Sequence, residues 1–376
     1  MIKYVKLGEI CKILNGFAFK SEKYMATGIR VVRITNVQKG YIEDADPEFY
    51  PLEEQKNIEK YMLYEGDLLI SLTGNVGRVA VLQKELLPAA LNQRVACLRI
   101  SDAGRIYKPY LFHYLNSDYF EQQCIMSAKG VAQKNMSTEW LKEYEIPLPT
   151  IEKQREIAEI FSRIDELISG RKQQTTILEQ TVKSRFIEMF GGVHDSKIYP
   201  YKAVKELTDV VSGGTPSRDI SEYWEEGTIP WVKTTELQNN IVTEVEEYIT
   251  EQGLSNSSAK IVPSGTVLIA MYGQGKTRGM TAYLGIEACT NQACACILPS
   301  AKINQTFLWQ FFILSYDNLR DMAKGGNQPN LNGNMIKNYP ILCPPRELQE
   351  QFAAFVEQVD KSKYHGEFTY ETEVAA

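Results

Sequence analysis

The stretch Gly66-Asp67-Leu68-Leu69-Ile70 returns as Gly265-Thr266-Val267-Leu268-Ile269, 199 residues later. At the same offset, Leu91-Asn92-Gln93 with Cys97 returns as Thr290-Asn291-Gln292 with Cys296. The matches keep their order along the chain. A repeat of this length indicates a duplicated domain rather than a solenoid of short units, because solenoid repeats span only ~20–45 residues.

A third match, between Ala128-Lys129-Gly130 and Ala323-Lys324-Gly325, extends the duplication through the rest of each copy. Each copy contains short β-type runs punctuated by Gly and Asn, and then a helical pattern. The strands are predicted at 29–34, 67–72, 79–82 and 94–100, and at 229–234, 266–271, 279–284 and 293–298, with helices near 109–126 and 305–323.

Between the copies, residues 150–190 contain no proline and carry an apolar stripe at spacings of three and four. Gly191-Gly192 ends this helix, and Pro344-Pro345 begins a second one. We predict that the two helices pair as an antiparallel coiled coil; the alternative is that each packs on its own domain. The predicted interface residues are Ile157, Ile160, Ile164, Leu167, Leu178, Phe186, Phe352, Phe355 and Val359.

The fold class is therefore α+β, or mixed α/β, with two tandem domains of irregular sheets separated by long helices. The boundaries are a first domain at 1–149, a first long helix at 150–192, a second domain at 193–344, and a second, shorter helix with a tail at 345–376.

Composition excludes several classes of function. The 376 residues include three scattered histidines and an odd number of cysteines, seven, which favours neither a His-based metal site nor a disulfide framework. Cys289, Cys294 and Cys296 lie in an apolar alternating run and are interpreted as core rather than as metal ligands. The scattered cysteines indicate a reducing, cytoplasmic setting. No run approaches the ~18 apolar residues of a membrane span, so no membrane partner is expected.

The net charge of −6 argues against a strongly basic coat for nucleic acid. The charge is unevenly distributed, however. It is +1 over 1–150, zero over 151–192, −3 over 193–344 and −4 over 345–376. Much of the acidity belongs to the last helix and tail, and a basic face on each domain is compatible with the total.

One segment, Ala270-Met271-Tyr272-Gly273-Gln274-Gly275-Lys276-Thr277, fits a relaxed phosphate-binding loop. That chemistry needs a helix after the loop, whereas 278–284 alternates as a strand does. We predict a strand, a turn and a strand. No methyltransferase tetrad, Ser/His/Asp set or nuclease cluster is present in the sequence, so no catalytic residue is assigned.

The repeats, the Pro-containing helix entries at 149–161 and 344–353, and the runs Val211-Ser212-Gly213-Gly214-Thr215-Pro216-Ser217 and Ile229-Pro230-Trp231-Val232 complete a pattern. In order, duplication and spacing, it closely resembles the specificity subunit of Type I restriction-modification systems over nearly the whole chain. The resemblance implies a non-catalytic reader of double-stranded DNA, in which each domain recognises one half of a split target.

The resemblance also implies partners. The helices would set the spacing between the half-targets and dock two adenine-methylating modification subunits, and motor-nuclease (restriction) subunits would join them. S-adenosylmethionine, ATP and magnesium are expected on those partners, with no cofactor in this chain.

The second helix departs from the family pattern, because it is expected to stop near Lys363. We hypothesise a shortened end that leaves the segment from Leu178 to Met189 without its partner helix. The alternative functions are a truncated, non-functional form, a scaffold that binds only proteins, and a fused enzyme.

Candidate DNA-binding residues come from Gly-rich loops bearing Arg, Lys, Asn and Gln, the side chains that read bases and phosphates. In the first domain they are Asn15, Lys20, Thr73, Asn75, Arg78, Arg94, Lys129, Gln133, Lys134 and Asn135. In the second they are Thr215, Ser217, Arg218, Lys233, Gln274, Lys276, Arg278, Lys324, Asn327, Gln328 and Asn330. The alternative interpretation of each loop is a purely structural turn.

Overall fold

The computed structural model describes residues 3–128, 135–273, 275–323 and 330–374, with side chains as far as residue 362. The chain divides into two compact units, Met1–Gly170 and Arg171–Ala376. The division falls inside one long helix. The boundaries predicted at 149 and 192 set that helix apart, whereas the contacts assign its first half to the first unit and its second half to the second.

In the part of the first unit that the structure describes, three small sheets and four short helices precede the long helix. Its strands are β1 Lys3–Lys6, β2 Cys11–Asn15, β3 Ile29–Val32, β4 Phe49–Tyr50, β5 Met62–Leu63, β6 Leu68–Ser71, β7 Val79–Val81, β8 Ala89–Leu91, β9 Val95–Ile100 and β10 Glu145–Leu148. Its helices are α1 Leu7–Ile10, α2 Lys108–Leu115, α3 Asp118–Ser127, α4 Thr138–Glu143 and α5 Ile151–Phe190, with 3₁₀ turns at Ser21–Lys23, Leu52–Tyr61 and Lys84–Leu86.

The second unit repeats this plan. Its strands are β11 Tyr201–Ala203, β12 Val210–Ser212, β13 Ile229–Val232, β14 Asn240–Val242, β15 Glu247–Ile249, β16 Val267–Ala270, β17 Thr281–Leu284, β18 Cys289–Thr290, β19 Cys294–Ile297 and β20 Pro340–Leu342. Its helices are α6 Val204–Leu207, α7 Glu251–Ser255, α8 Gln305–Leu314, α9 Tyr316–Met322, α10 Gly333–Lys337 and α11 Arg346–Val374, with 3₁₀ turns at Ser221–Tyr223 and Thr234–Glu236.

Strand order confirms the duplication. The main sheet is β2-β9-β6-β7 in the first unit and β12-β19-β16-β17-β14 in the second. A smaller sheet pairs β3 with β8 in parallel, as β13 pairs with β18. A third pairs β1 with β10 antiparallel, as β11 pairs with β20. The repeated sequence therefore folds twice into the same arrangement.

The main sheet of each unit is covered on both faces, which explains its continuous apolar strands. In β6, Leu68 and Ile70 pack into the core with the helices, and Leu69 packs into the core shared with the smaller sheet. In β16, Val267 and Leu268 alternate between two cores in the same way. Successive strand residues point to opposite faces, so one run fills both cores.

The predicted helices at 109–126 and 305–323 are each two helices in the structure. The first breaks between α2 and α3, where the Ser117 hydroxyl accepts a hydrogen bond from the Phe120 amide at 3.2 Å. The second breaks between α8 and α9 at Ser315. Ser117 offers the backbone a cap that competes with the helix interior, whereas the Ser315 hydroxyl donates to the Phe311 carbonyl at 2.8 Å. Apolar periodicity reveals neither.

The long helix matches its prediction, but the second one does not end near Lys363. α11 continues to Val374, because the segment after Lys363 contains no proline and a single glycine, Gly366, to interrupt it. The hypothesis that Leu178 to Met189 lacks a partner is also wrong. Both residues pack against the core cluster that contains Phe352.

Within the second unit, the second half of α5 runs antiparallel to α11. The Phe352 ring lies 5.4 Å from Phe186 and 5.6 Å from Phe190, centroid to centroid. One turn further along α11, Phe355 lies under the Arg185 guanidinium. Asp360, still further along, shares a groove with residues 175–183. Residues later in α11 therefore lie beside residues earlier in α5, as in an antiparallel pair. The two helices together cover the aromatic face of α8.

Candidate nucleic-acid interface

One edge of the main sheet of the first unit gathers the ends of several strands. Asn15 ends β2 beside Ala96, and Ser71 ends β6 beside Val95. Val95 begins β9, which runs antiparallel to both. The loops that leave β2 and β6, and the loop that enters β9, must therefore emerge at the same edge.

Backbone hydrogen bonds join the predicted loops at this edge. The Phe17 amide donates to the Leu91 carbonyl at 2.8 Å, and the Leu72 amide donates to the Arg94 carbonyl at 2.9 Å. Asn135 forms a bridge to Thr73. The four loops singled out in the sequence are thus neighbours, although about 120 residues separate the first from the last.

The second unit builds the same edge. The Gly214 amide donates to the Thr290 carbonyl at 2.9 Å, and the Met271 amide donates to the Ala293 carbonyl at 2.8 Å. The Leu331 amide donates to the Met271 carbonyl at 3.1 Å. The equivalent four loops therefore converge in both units.

Glycine permits the closest of these loop contacts. A Cβ on Gly16 would lie 2.1 Å from the Asn92 carbonyl oxygen, and one on Gly213 would lie 2.2 Å from the Thr290 carbonyl oxygen. Any other residue would separate the loops. This is a structural role for the first glycine-rich loop of each unit.

The loops at the two edges are cationic in sequence. Residues 15–20, 71–78, 91–94 and 128–136 contain no Asp or Glu, and neither do 212–218, 271–278, 290–293 and 323–331. Their cations are Lys20, Arg78, Arg94, Lys129, Lys134, Arg218, Lys276, Arg278 and Lys324. The loops are thus positively charged, whereas the whole chain has a negative net charge. A positively charged surface attracts a polyanionic ligand.

In the first unit the candidates differ in exposure. Asn15, Lys20, Asn75 and Arg94 are exposed, whereas the Thr73 side chain is buried beneath its loop. Arg78 is half-buried and donates to the Gln38 side-chain oxygen. The exposed set can meet a ligand directly.

In the second unit, Ser217 and Lys276 are exposed, and Asn330 is half-buried. Thr215 donates to the Gln292 side chain across the two loops. Arg278 is half-buried, with its carbonyl accepting from Arg320 at 3.1 Å.

Two candidates are engaged in ion pairs with the same carboxylate. Arg218 lies 2.6 Å from Glu247 and its guanidinium stacks over the Trp224 ring, 3.6 Å from the centroid. Lys233 contacts Glu246 at 2.6 Å and Glu247 at 2.9 Å, and these hydrogen bonds raise its pKa. Lys233 therefore binds within its own unit, while Arg218 remains about half exposed.

The segment that resembles a phosphate-binding loop is a turn between β16 and β17. Two side chains of α9 donate hydrogen bonds to the backbone of this turn. The Tyr316 hydroxyl donates to the Lys276 carbonyl at 2.7 Å, and Arg320 donates to the Gly275 carbonyl at 2.8 Å. A strand, β17, follows the turn, as predicted, where a phosphate-binding loop would be followed by a helix.

Seven candidates lie outside the described residues, and the structure assigns them no position. They are Lys129, Gln133, Lys134, Gln274, Lys324, Asn327 and Gln328.

Tyr272, which belongs to the candidate turn of residues 272–274, is exposed after β16. From the sequence, no role was assigned to Gln38. Gln38 orients Arg78 from a loop 40 residues away. Nothing in the local sequence indicates that pairing.

The cysteines behave as core residues. Cys289, Cys294 and Cys296 are buried, and burial raises the pKa of the Cys289 and Cys296 thiols to about 11. No group of three or more metal-ligating side chains occurs in the part of the chain that the structure describes. Among the same residues, no helix is long and apolar enough to cross a membrane.

The fold and the two edges define a protein of two tandem α+β domains, each followed by a long helix and each presenting four converging loops that contain no Asp or Glu. The family model for the Type I restriction modification DNA specificity domain matches residues 2–180 and 199–367. The chain belongs to this family, with two tandem copies of its domain.

Curated relatives carry the same description. The chain is 23% identical to the Type I restriction enzyme MjaIX specificity subunit of Methanocaldococcus jannaschii over 312 residues, covering 78% of this chain and 70% of the relative. It is 21% identical to the Type I restriction enzyme EcoR124I/EcoR124II specificity subunit of Escherichia coli, covering 69% of this chain and 65% of that relative. It is 31% identical to the EcoAI specificity subunit of Escherichia coli, covering 52% of this chain and 33% of that one.

The fold has solved counterparts. The Type I restriction-modification S subunit from M. genitalium aligns over 100% of this chain and 93% of its own length, with a TM-score of 0.60 at 14% identity. A second solved chain comes from a study of complex assembly and conformational transition of the type I R-M system. It aligns over 100% of this chain and 94% of its own length, with a TM-score of 0.51 at 18% identity.

Proposed function

We propose that this chain is the DNA-reading subunit of a Type I restriction-modification complex. Each loop edge binds one half of a split double-stranded target. The exposed Lys and Arg side chains meet phosphates and guanines, and the exposed Asn and Gln side chains meet adenines.

The observation that carries this proposal is the convergence of the same four acid-free loops at the same sheet edge in both units. The chain has a net charge of −6, yet these loops contain Lys and Arg and no Asp or Glu. This charge distribution favours a polyanionic ligand at the loop edges. Family membership supplies the class of ligand, since the matched domain is a DNA specificity domain.

The chain acts without chemistry of its own. The adenine methylation belongs to modification subunits that bind S-adenosylmethionine, and cleavage belongs to motor-nuclease subunits that use ATP and magnesium. The helices dock these partners and set the distance between the two half-targets. The complex works in the cytoplasm, where the chromosome lies.

A binding titration tests the proposal. We expect Arg94→Ala, in the complex with its modification subunits, to weaken binding of target DNA and to reduce the slope of log affinity against log salt by about one. Arg105→Ala is the matched control, because Arg105 is exposed beyond the opposite end of the same strand, β9. Equal losses for both variants would contradict the assignment.

The competing function, a scaffold that binds only proteins, gives a different result in the same experiment. A scaffold would add no salt-dependent DNA affinity to the modification subunits, and neither variant would change it.

A further inference from the structure

A basic residue follows the same strand of the smaller sheet in both units. Arg33 comes directly after β3, and Lys233 comes directly after β13. The last residue of each strand accepts a hydrogen bond from a loop amide, that of Asn92 at 3.3 Å in the first unit and that of Asn291 at 3.1 Å in the second. Because these two loops belong to the loop edges, the two basic residues lie beside the surfaces proposed to bind DNA.

An acidic segment contacts this cation in each unit: residues 43–48 in the first and residues 244–247 in the second. Arg33 lies 3.2 Å from Glu48, and Lys233 lies 2.9 Å from Glu247. The two pairs are equivalent by position, because each glutamate lies opposite the strand residue two before the cation. Each cation keeps 24% of its side chain exposed. The same ion pair therefore forms twice, once with arginine and once with lysine.

One side chain in each unit fastens the acidic segment to the turn that carries the cation. In the first unit, the Asn36 side chain accepts from the amide of the cationic residue at 2.8 Å and donates to the Glu43 carbonyl at 2.9 Å. In the second unit, the Glu236 side chain accepts from the amide of the cationic residue at 2.8 Å and from the Glu246 amide at 3.2 Å. The carboxylates are therefore held beside the cation by the fold itself.

The acidic segment of the second unit engages a further cation. Lys233 also contacts Glu246 at 2.6 Å, and Glu247 also contacts Arg218 at 2.6 Å. Hydrogen bonds to the two glutamates raise the pKa of Lys233. Burial would raise the pKa of Glu247, but hydrogen bonds from Lys233 and Arg218 lower it. The lysine and the carboxylate are thus both charged at neutral pH, and the carboxylates take the place that phosphate oxygens would take on a free lysine.

We propose that the two acidic segments withhold Arg33 and Lys233 from DNA phosphates and thereby lower the sequence-independent affinity of each loop edge. This inference rests on the proposed function. A cation adds to that affinity by releasing counterions from DNA, and a cation held by a carboxylate must first break its ion pair. With these cations withheld, the contacts of the exposed loop residues make up a larger share of the binding free energy.

Neutralising the carboxylates of the second unit tests the inference, with a pool of random-sequence duplexes as the probe. In the complex with its modification subunits, the double variant Glu246→Gln/Glu247→Gln should bind these duplexes at least about threefold more tightly than the parent. The slope of log affinity against log salt should steepen by about one, because one cation is freed. The matched control is Glu244→Gln/Glu251→Gln, which removes the same charge from exposed residues on either side. It should leave the slope unchanged and give a smaller gain.

Removing the cation separates its release from a general change of charge. Lys233→Met, added to the neutralised double variant, should return the slope to the parent value. The same substitution in the parent chain should leave the slope unchanged, because the lysine is already held there. Glu48→Gln and Arg33→Met give an independent cycle at the edge of the first unit. Hydrogen exchange at β13 and β15 checks that the neutralised variant keeps its fold.

Three results overturn the inference. The first is a folded double variant whose affinity and slope do not exceed those of the control. The second is a gain that survives Lys233→Met, which would assign it to the overall charge. The third is a slope that falls with Lys233→Met in the parent chain, since the lysine would then already contact a phosphate. The proposed function fails by a different result, equal losses for Arg94→Ala and Arg105→Ala, so the two failures are distinguishable.

Discussion

The two units present nearly identical loop edges and very different helix surfaces. At the edges, the same loops meet through the same backbone bonds in both copies. On the helices, Val356 is buried and Phe161 is half exposed, although both belong to the same apolar stripe of the repeat. A repeat therefore specifies local folding twice, while the burial of an apolar stripe depends on which neighbouring segment packs against it.

Removing one buried ring should have the largest effect on this comparison. Phe352 is fully buried among Phe186, Phe190 and Phe307, so Phe352→Ala should cost about 3–5 kcal/mol of the unfolding free energy of the second unit. Phe161→Ala should cost under about 1 kcal/mol in the first unit, because its ring is about half exposed. Hydrogen exchange of each unit measures both; similar losses would show that the stripe of the first unit is covered.

Substituting Gln154 or Gln349, which occupy equivalent positions in the two units, should destabilise both units equally. Gln154 accepts from the Tyr107 amide at 2.8 Å, and Gln349 accepts from the Asn304 amide at 2.9 Å. Each also donates to the carbonyl of a proline at its helix entry, Pro149 or Pro344.

Alanine at either glutamine leaves the half-buried backbone amide of Tyr107 or Asn304 without that partner and should cost about 1–3 kcal/mol. Hydrogen exchange at the start of α2 and of α8 reports the loss in each unit. Asparagine at the same positions is the control for side-chain volume. A loss in only one unit would break the equivalence of the two helix entries.

The smallest expected effect concerns pH. His113 lies 3.1 Å from the Ser162 hydroxyl and 3.6 Å from Asp165, and burial lowers its pKa, with Asp165 opposing. Folding therefore favours the neutral ring. The stability it contributes is complete above the ordinary histidine pKa, near 6.5, and is lost as pH falls through the lower value of the folded state.

The second unit has Gln310 at the equivalent position, which does not titrate. Acid should therefore loosen the contact of α2 with α5 but leave that of α8 with α11 unchanged by this group. His113→Gln should remove the difference, as followed by hydrogen exchange from pH 7.5 to 5.5. A pH dependence that survives the substitution would assign it to another group.

Sequence periodicity and repetition predicted the duplication, the long helix and the edge loops, because these depend on local patterns that occur twice. They could not predict the helix break at Ser117. The break depends on the hydrogen bond that the Ser117 hydroxyl accepts from the Phe120 amide, which a pattern of apolar residues does not indicate. The engagement of Lys233 by Glu246 and Glu247 was equally invisible, because it needs the register of β13 with β15. The length of α11 was underestimated because its last residues lack an apolar stripe.

Each unit is proposed to read one half of a split DNA target. Mapping methylated adenines in cells that contain the modification subunits, with this chain and with a variant in which residues 272–280 are replaced by the equivalent residues 73–78, tests this most directly. We expect a methylated motif of two specified halves separated by unspecified bases, of which the variant changes one half and keeps the other. A single continuous motif, or a change in both halves, would contradict it.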